Sequence, residues 1–153
     1  MNRIAEEVET DAIYRSIIDA QRTEPEATGA DAIADAARQI AETLDLAAIA
    51  CWTFSGSTGL RVARERPLSP IVAISPNVAT GRKLSLAWGV HCVVAEDARD
   101  LDDMVDRACR LAFREGFAKA GQRIIIVAGV PLGTPGATNM VRIAFVGSDA
   151  ADD

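Results

Sequence analysis

The sequence predicts an α/β fold with three layers (α/β/α) around a five-stranded mixed sheet whose last strand is antiparallel. Short, continuous apolar runs such as 47–52 and 124–128 are typical of strands that are buried on both faces. Stripes of apolar residues at helical spacing alternate with these runs, which indicates helices that connect parallel strands. The last apolar segment, 140–146, follows a loop without a helical pattern and therefore cannot complete a parallel crossover.

The first third of the chain predicts two helices and a buried strand. Apolar residues recur at helical spacing among charged residues over 3–20, which predicts one amphipathic helix. Proline and glycine among polar residues predict a loop at 21–29. A second apolar stripe predicts a helix over 30–44, and the run 47–52 is the first strand.

The middle of the chain repeats this alternation with shorter elements. A short helix is expected over 58–65, and Pro67 ends it. Residues 71–74 are rich in β-branched side chains and lie between two prolines, so they predict a second strand. A short helix is expected from Asn77 through Lys83, and a third strand follows at 90–94.

The last third begins with a helix predicted over 100–120, the longest of the set, which Gly121 is expected to end. The apolar run 124–128 predicts a fully buried strand. The segment 129–139 is too rich in glycine and proline for regular structure, and the alternating residues 140–146 predict the final strand.

A turn of small hydroxyl residues and glycine lies between the strand at 47–52 and the helix at 58–65. Open α/β sheets bind ligands outside the carboxyl ends of their strands, and backbone N–H groups at a helix N-terminus favour an anion. The turn therefore predicts a phosphate or carboxylate site, with the alternative that Ser55 or Ser57 only caps the helix. The candidate residues are Ser55, Gly56, Ser57 and Thr58.

The composition predicts one domain over 1–147 and an acidic tail over 148–153 in a chain of 153 residues. The net charge is −6 and no block of lysine or arginine is present, which argues against nucleic acid and anionic membranes as partners. Apolar runs are too short for a membrane span, and the protein is expected to be cytoplasmic.

The cysteines and the single histidine do not predict a catalytic or metal site. Cys51, Cys92 and Cys109 stand singly in apolar or helical patterns and are expected to be reduced core thiols. With His91 as the only histidine, no multi-histidine metal site can form. An independent small enzyme would have to rely on Ser55 with His91, and nothing in the sequence brings these two together.

Five segments of the chain, in this order and spacing, resemble the carboxy-terminal domain of bacterial pyruvate kinase. The resemblance covers nearly the whole chain, from the first helix to the last strand. The segments are Thr53–Thr58, Val62–Pro67, Pro70–Ala73, Leu86–Val90 and Gly129–Asn139.

The resemblance implies a parent enzyme that transfers a phosphoryl group from phosphoenolpyruvate to ADP with Mg²⁺ and K⁺. Catalysis in that family takes place on a (β/α)₈ barrel that precedes this domain, and the motifs of the barrel have no counterpart here. The chain by itself is therefore expected to be catalytically inactive and to hold no cofactor, with the catalytic barrel as a partner.

The resemblance further implies that this domain binds an allosteric phosphate ester at residues 53–58 and forms one subunit contact of a homotetramer. The loop 131–139, with Gly133 and Gly136, would close over the ligand, although a tight antiparallel connection explains its glycines and prolines equally well. The rival interpretation is a purely structural oligomerisation domain that binds no ligand.

Two departures from the family bear on the effector. Members activated by fructose 1,6-bisphosphate often carry a lysine where this chain has Phe54 and an arginine where the alignment places Met104. Without these cations, AMP or a sugar monophosphate is favoured over fructose 1,6-bisphosphate, and no effector at all is the remaining alternative. Arg61 and Arg64 could supply charge, or could be structural.

Overall fold

The computed structural model describes residues 2–133 and 138–148, and its sheet confirms the predicted fold class. The elements are α1 Asn2–Glu9, α2 Ala12–Ala20, α3 Gly29–Leu44, β1 Ile49–Trp52, α4 Ser57–Arg64, β2 Ile71–Ser75, α5 Val78–Leu84, β3 Val90–Val94, α6 Leu101–Arg114, β4 Arg123–Gly129 and β5 Thr138–Phe145. The strand order is β3-β2-β1-β4-β5, with parallel pairs throughout except for the antiparallel pair of β4 and β5.

Two apolar clusters, one on each face of the sheet, make the three layers. Alternate residues of the strands point to opposite faces, so neighbours such as Ile124 and Ile125 belong to different clusters. One cluster contains the apolar sides of α3 and α4, and the other contains the apolar side of α6. Every residue of β1 and β2 is buried, because helices or connecting segments cover these central strands on both faces.

The predicted helix over 3–20 is two helices, which corrects the sequence-based expectation. Asp11 interrupts it, because its side chain accepts a hydrogen bond from the Ile13 N–H at 2.7 Å and so caps α2. Neither α1 nor α2 contains a buried residue. The large apolar side chains that remain exposed on them are Ile4, Val8, Ile13 and Ile17.

The last helix ends at Arg114 instead of continuing to residue 120. Gly116 ends it with a φ of 81°, and the N–H groups of Gly116 and Phe117 donate to the carbonyls of Phe113 and Ala112 at 3.0 and 2.9 Å. Gly121 lies in the later turn before β4, so the expectation that it ends α6 is wrong. The expectation that this helix is the longest is also wrong, because α6 has 14 residues and α3 has 16. No helix in the described ranges is long and apolar enough to cross a bilayer.

Candidate functional site

The turn of residues 53–58 follows the carboxyl end of β1, which lies between β2 and β4. Gly56 is the N-cap residue of α4 and has a φ of 92° and a ψ of −5°. A Cβ atom there would lie 3.3 Å from Leu84 Cδ2 and 3.4 Å from Thr80 Cγ2. Both the backbone conformation and the close approach of α5 therefore favour glycine at this position.

No side chain caps the first turn of α4 from the N-cap position. The Ser57 N–H donates only a long hydrogen bond, 3.4 Å, to Ser55 Oγ, which itself lies 3.2 Å from Ser57 Oγ. Within residues 2–133 and 138–148, the backbone N–H groups of Thr58 and Gly59 have no acceptor. Two backbone donors and two hydroxyl groups thus stand at the positive end of the helix dipole, an arrangement that suits an anion.

Hydroxyl groups from the turn and its neighbours fix the backbone of the turn. Thr53 is buried, and its Oγ1 accepts a hydrogen bond from the Gly56 N–H at 2.9 Å. The Phe54 carbonyl accepts from Thr80 Oγ1 at 2.7 Å and from Ser75 Oγ at 3.4 Å. Thr53 therefore shapes the turn, whereas the Phe54 side chain, 60% exposed, points toward solvent.

The remaining predicted site residues, Gly133 and Gly136, belong to the segment 129–139. Gly133 is exposed with a φ of 81°, and Gly136 lies outside the described residues. Thr138, which the sequence analysis did not single out, is buried with its Oγ1 2.8 Å from Thr58 Oγ1. The only sequence signal for it is a hydroxyl residue where the last strand follows the glycine-rich segment.

Both arginines of α4 are engaged with the fully buried carboxylate of Asp31 on α3. Arg64 Nη2 donates to Asp31 Oδ2 at 2.6 Å, and Arg61 donates to the other carboxylate oxygen. The hydrogen bond from Arg64, with help from Arg61, lowers the pKa of Asp31 and raises the pKa of Arg64. Both arginines therefore have a structural role as the partners of Asp31.

Met104, the other position compared with activated family members, is fully buried in the apolar cluster beneath α6. Its thioether contributes to the core and not to an open surface. The turn itself has no cationic residue, so hydroxyl and backbone N–H groups alone are available to an anion.

His91 and the cysteines do not lie next to Ser55 or to one another in a catalytic arrangement. His91 Nε2 lies 3.1 Å from Glu115 Oε2, and its ring packs on Phe117, so its partner is Glu115 and not Ser55. All three cysteines are free, and burial raises the pKa of Cys51 to about 12, which keeps this thiol protonated. Over the described ranges, no three His, Cys, Asp or Glu side chains form a possible metal site.

A separate cleft of about 470 Å³ lies at the other end of the strands. α1 and α2 form one wall, and the segments preceding β2 and β3 form the other. There, Trp88 Nε1 donates to Glu9 Oε1 at 3.0 Å, and Arg66 stacks 4.3 Å from the Trp88 ring centroid. Because parallel strands place their amino and carboxyl ends at opposite edges of the sheet, this cleft is distinct from the 53–58 turn.

Comparison with known proteins gives one family match and several close relatives. Residues 31–144 match the family described as "Pyruvate kinase, alpha/beta domain". A pyruvate kinase of Methylorubrum extorquens is 60% identical over 152 residues, which cover 99% of the chain and 32% of that protein. Pyruvate kinases of Geobacillus stearothermophilus and Agrobacterium vitis are 38% and 36% identical, over 95% and 96% of the chain and 25% and 31% of those proteins. The chain thus spans a third or less of the length of these relatives.

Proposed function

The chain belongs to the pyruvate kinase alpha/beta domain family, and from this premise we propose that it is the regulatory, effector-binding and oligomerisation domain of a pyruvate kinase. The parent enzyme would transfer a phosphoryl group from phosphoenolpyruvate to ADP in the cytoplasm. Its catalytic barrel, with Mg²⁺ and K⁺, would come from sequence that the relatives have beyond the matched third. This chain by itself would be inactive and would act on that barrel as a regulatory partner.

The first turn of α4 is the observation that carries the effector proposal. Its backbone N–H groups at Thr58 and Gly59 have no acceptor in the part of the chain that the structure describes, and no side chain caps the helix from Gly56. Ser55 and Ser57 add hydroxyl donors on the same side of the turn. A phosphoryl group would complete the hydrogen bonds of this helix terminus and gain from its dipole.

The charges near the turn favour one phosphoryl group over two. Arg61 and Arg64 both donate to Asp31 on α3, and the turn has no cationic side chain of its own. Neutral donors hold a dianionic group less strongly than charged donors do, so a second phosphate would find no matching cation. AMP or a sugar monophosphate therefore fits better than fructose 1,6-bisphosphate.

Isothermal titration of the chain with AMP, glucose 6-phosphate, ribose 5-phosphate and fructose 1,6-bisphosphate tests the proposal. In the Ser55→Ala/Ser57→Ala variant, the affinity for the bound monophosphate should fall at least tenfold, because hydrogen bonds to charged groups contribute about 1.5–3 kcal/mol each. Ser16→Ala/Ser85→Ala is the matched control, since both serines are exposed and donate to backbone carbonyls of α2 and α5. Equal binding by both double variants would refute a site at the turn.

The alternative of a structural oligomerisation domain without a ligand has its own supporting observation. β5 is an edge strand, and Phe145 and Ile143 on it are 70% and 42% exposed. An exposed apolar edge strand pairs readily with another chain, which is how subunits of a homotetramer could meet. Sedimentation velocity should then show dimers that Phe145→Lys dissociates, with no heat in any of the titrations.

A further inference from the structure

A β-bulge near the start of β5 determines which face of the sheet Thr138 occupies. Ala128 of β4 pairs with Met140, whereas the next residue, Gly129, pairs with Thr138, so that Asn139 is the extra residue. Gly129 lies on the same face as Val127, which contacts α3 and α4, because side chains alternate along β4. Without the bulge, Thr138 would lie on the face of Met140, which packs toward α6.

The bulge therefore directs the Thr138 hydroxyl toward α4, where it meets Thr58. The two Oγ1 atoms are 2.8 Å apart, and both residues are about 95% buried, with relative exposures of 5%. Each hydroxyl would be left without its partner in the apolar interior if the other were removed. This pair directly joins the first turn of α4 to a strand 80 positions away in the sequence.

Asn139, the extra residue of the bulge, holds this local arrangement through its side chain. Its Oδ1 accepts from the Val130 N–H at 2.8 Å, and its Nδ2 donates to the Val130 carbonyl at 2.7 Å. The side chain thus replaces the two backbone bonds that the ladder loses where the bulge begins. Asn139 is itself exposed, so its contribution is to geometry and not to the core.

We propose that Thr138 is a positioning residue for the anion site at the 53–58 turn, a role that rests on the proposed function. Its hydroxyl fixes Thr58, and with it the direction of the adjacent backbone N–H groups at Thr58 and Gly59. The Thr58 hydroxyl is buried against Thr138 and contributes to this positioning. The Thr58 backbone N–H is the group that donates a hydrogen bond to the ligand. Asn139 supports the same geometry from the other side of the bulge.

Thr138→Val tests the proposal, because valine keeps the shape of threonine and removes the hydroxyl. Phosphate ester affinity, measured by titration well below the melting temperature, should fall about three- to tenfold, the effect of one hydrogen bond. Thr138→Ser should bind as the wild type does. Thr58→Val and the double valine variant should bind no more weakly than Thr138→Val, because all three lose the same bond.

Ser69→Ala is the control for a merely structural effect. Ser69 Oγ donates to the Leu46 carbonyl at 3.0 Å before β1 and β2, at the edge of the sheet opposite to the turn. Ser69→Ala and Thr138→Val each lose one hydrogen bond, so each should lower Tm by about 2–4 °C. Only Thr138→Val should weaken binding of the phosphate ester. Equal affinity of Thr138→Val, Asn139→Ala and the wild type would overturn the proposal, and Asn139→Ala, at an exposed position, is expected to fold even if Thr138→Val does not.

A second readout in the free protein separates this proposal from the effector proposal. Amide ¹H–¹⁵N shifts of residues 57–59 should change in Thr138→Val and stay unchanged in Ser69→Ala. If the wild type binds none of the four phosphate esters, the effector proposal fails, and the amide shifts still decide whether Thr138 positions this turn. If ligand binds and neither the shifts nor the affinity respond to Thr138→Val, the positioning role fails alone.

Discussion

Gly56 and Gly59 lie close together at the start of α4, and exchanging each for alanine should change the stability in opposite directions. Gly56 has a φ of 92°, a left-handed conformation that costs an L-residue about 1–2 kcal/mol. The new Cβ would also press on Leu84 and Thr80 at 3.3 and 3.4 Å, where flexible side-chain ends can shift. Gly56→Ala should therefore lower the free energy of unfolding by about 1–2 kcal/mol.

Gly59 has helical geometry within α4, and a Cβ there would meet Ala73 and Leu84 at ordinary contact distances of 3.5 to 3.7 Å. Gly59→Ala should accordingly raise the free energy of unfolding by about 0.5–1 kcal/mol, the helical preference of alanine over glycine.

Urea unfolding at 25 °C, followed by circular dichroism, gives both free energies, and thermal unfolding should separate the two variants by several degrees, at about 2–4 °C per kcal/mol. The slope of free energy against urea should be the same in both variants, since neither changes the buried surface appreciably. Equal stability of the two variants, or a gain in Gly56→Ala, would refute the assignment of Gly56 to a left-handed N-cap.

Two further substitutions test the charges around α4. Phe54→Lys places a cation on an exposed position of the turn and should strengthen binding of fructose 1,6-bisphosphate about three- to tenfold at low salt, an effect that titration at about 0.5 M salt should largely abolish. Asp31→Asn removes the carboxylate that Arg64 and Arg61 share and should destabilise the fold at pH 7. Because the pKa of Asp31 is lowered in the folded state, its contribution is complete above the unfolded-state pKa of about 4 and disappears as the pH falls through the lowered value. Urea titrations between pH 7 and pH 2 should thus show the wild type converging on the variant, and a difference that is constant with pH would contradict this role.

The strands and the 53–58 turn were predictable because their signals are local. An apolar run such as 124–128 predicts a strand that is buried on both faces, whatever the rest of the chain does. The strand, the glycine turn and the helix at 47–65 follow one another directly in the sequence. The helix ends were less predictable, since the apolar stripe of residues 3–20 continues across the break. The Asp11 side chain decides that break through a single capping bond, which the helical period does not register. Similarly, apolar residues continue the pattern of α6 beyond Gly116, where the left-handed conformation ends the helix.

The parts of the candidate site that depend on distant segments could not be predicted. Thr138 reaches Thr58 only because a one-residue bulge changes the face on which it lies, and no periodicity in the sequence marks that bulge. From the sequence, the two arginines of α4 could contact either a ligand or a partner on α3. They contact Asp31 because its carboxylate is fully buried and needs charged hydrogen-bond donors. Sequence patterns define the elements, whereas the tertiary packing of α3, α4 and β5 assigns the side chains to their partners.

Under the proposed function, the turn would bind a phosphate ester without a cation of its own, and the distribution of charge along α4 is consistent with this. Arg61 and Arg64 lie in the last turn of the helix, near the negative end of its dipole, and both contact Asp31. This pairing holds both guanidinium groups at that end of the helix, whereas the N–H groups of the first turn form the positive end of the dipole. The proposed ligand would therefore be held by the direction and number of its hydrogen bonds more than by net charge. Its binding should depend only weakly on salt and strongly on the geometry that Gly56 and Thr138 impose.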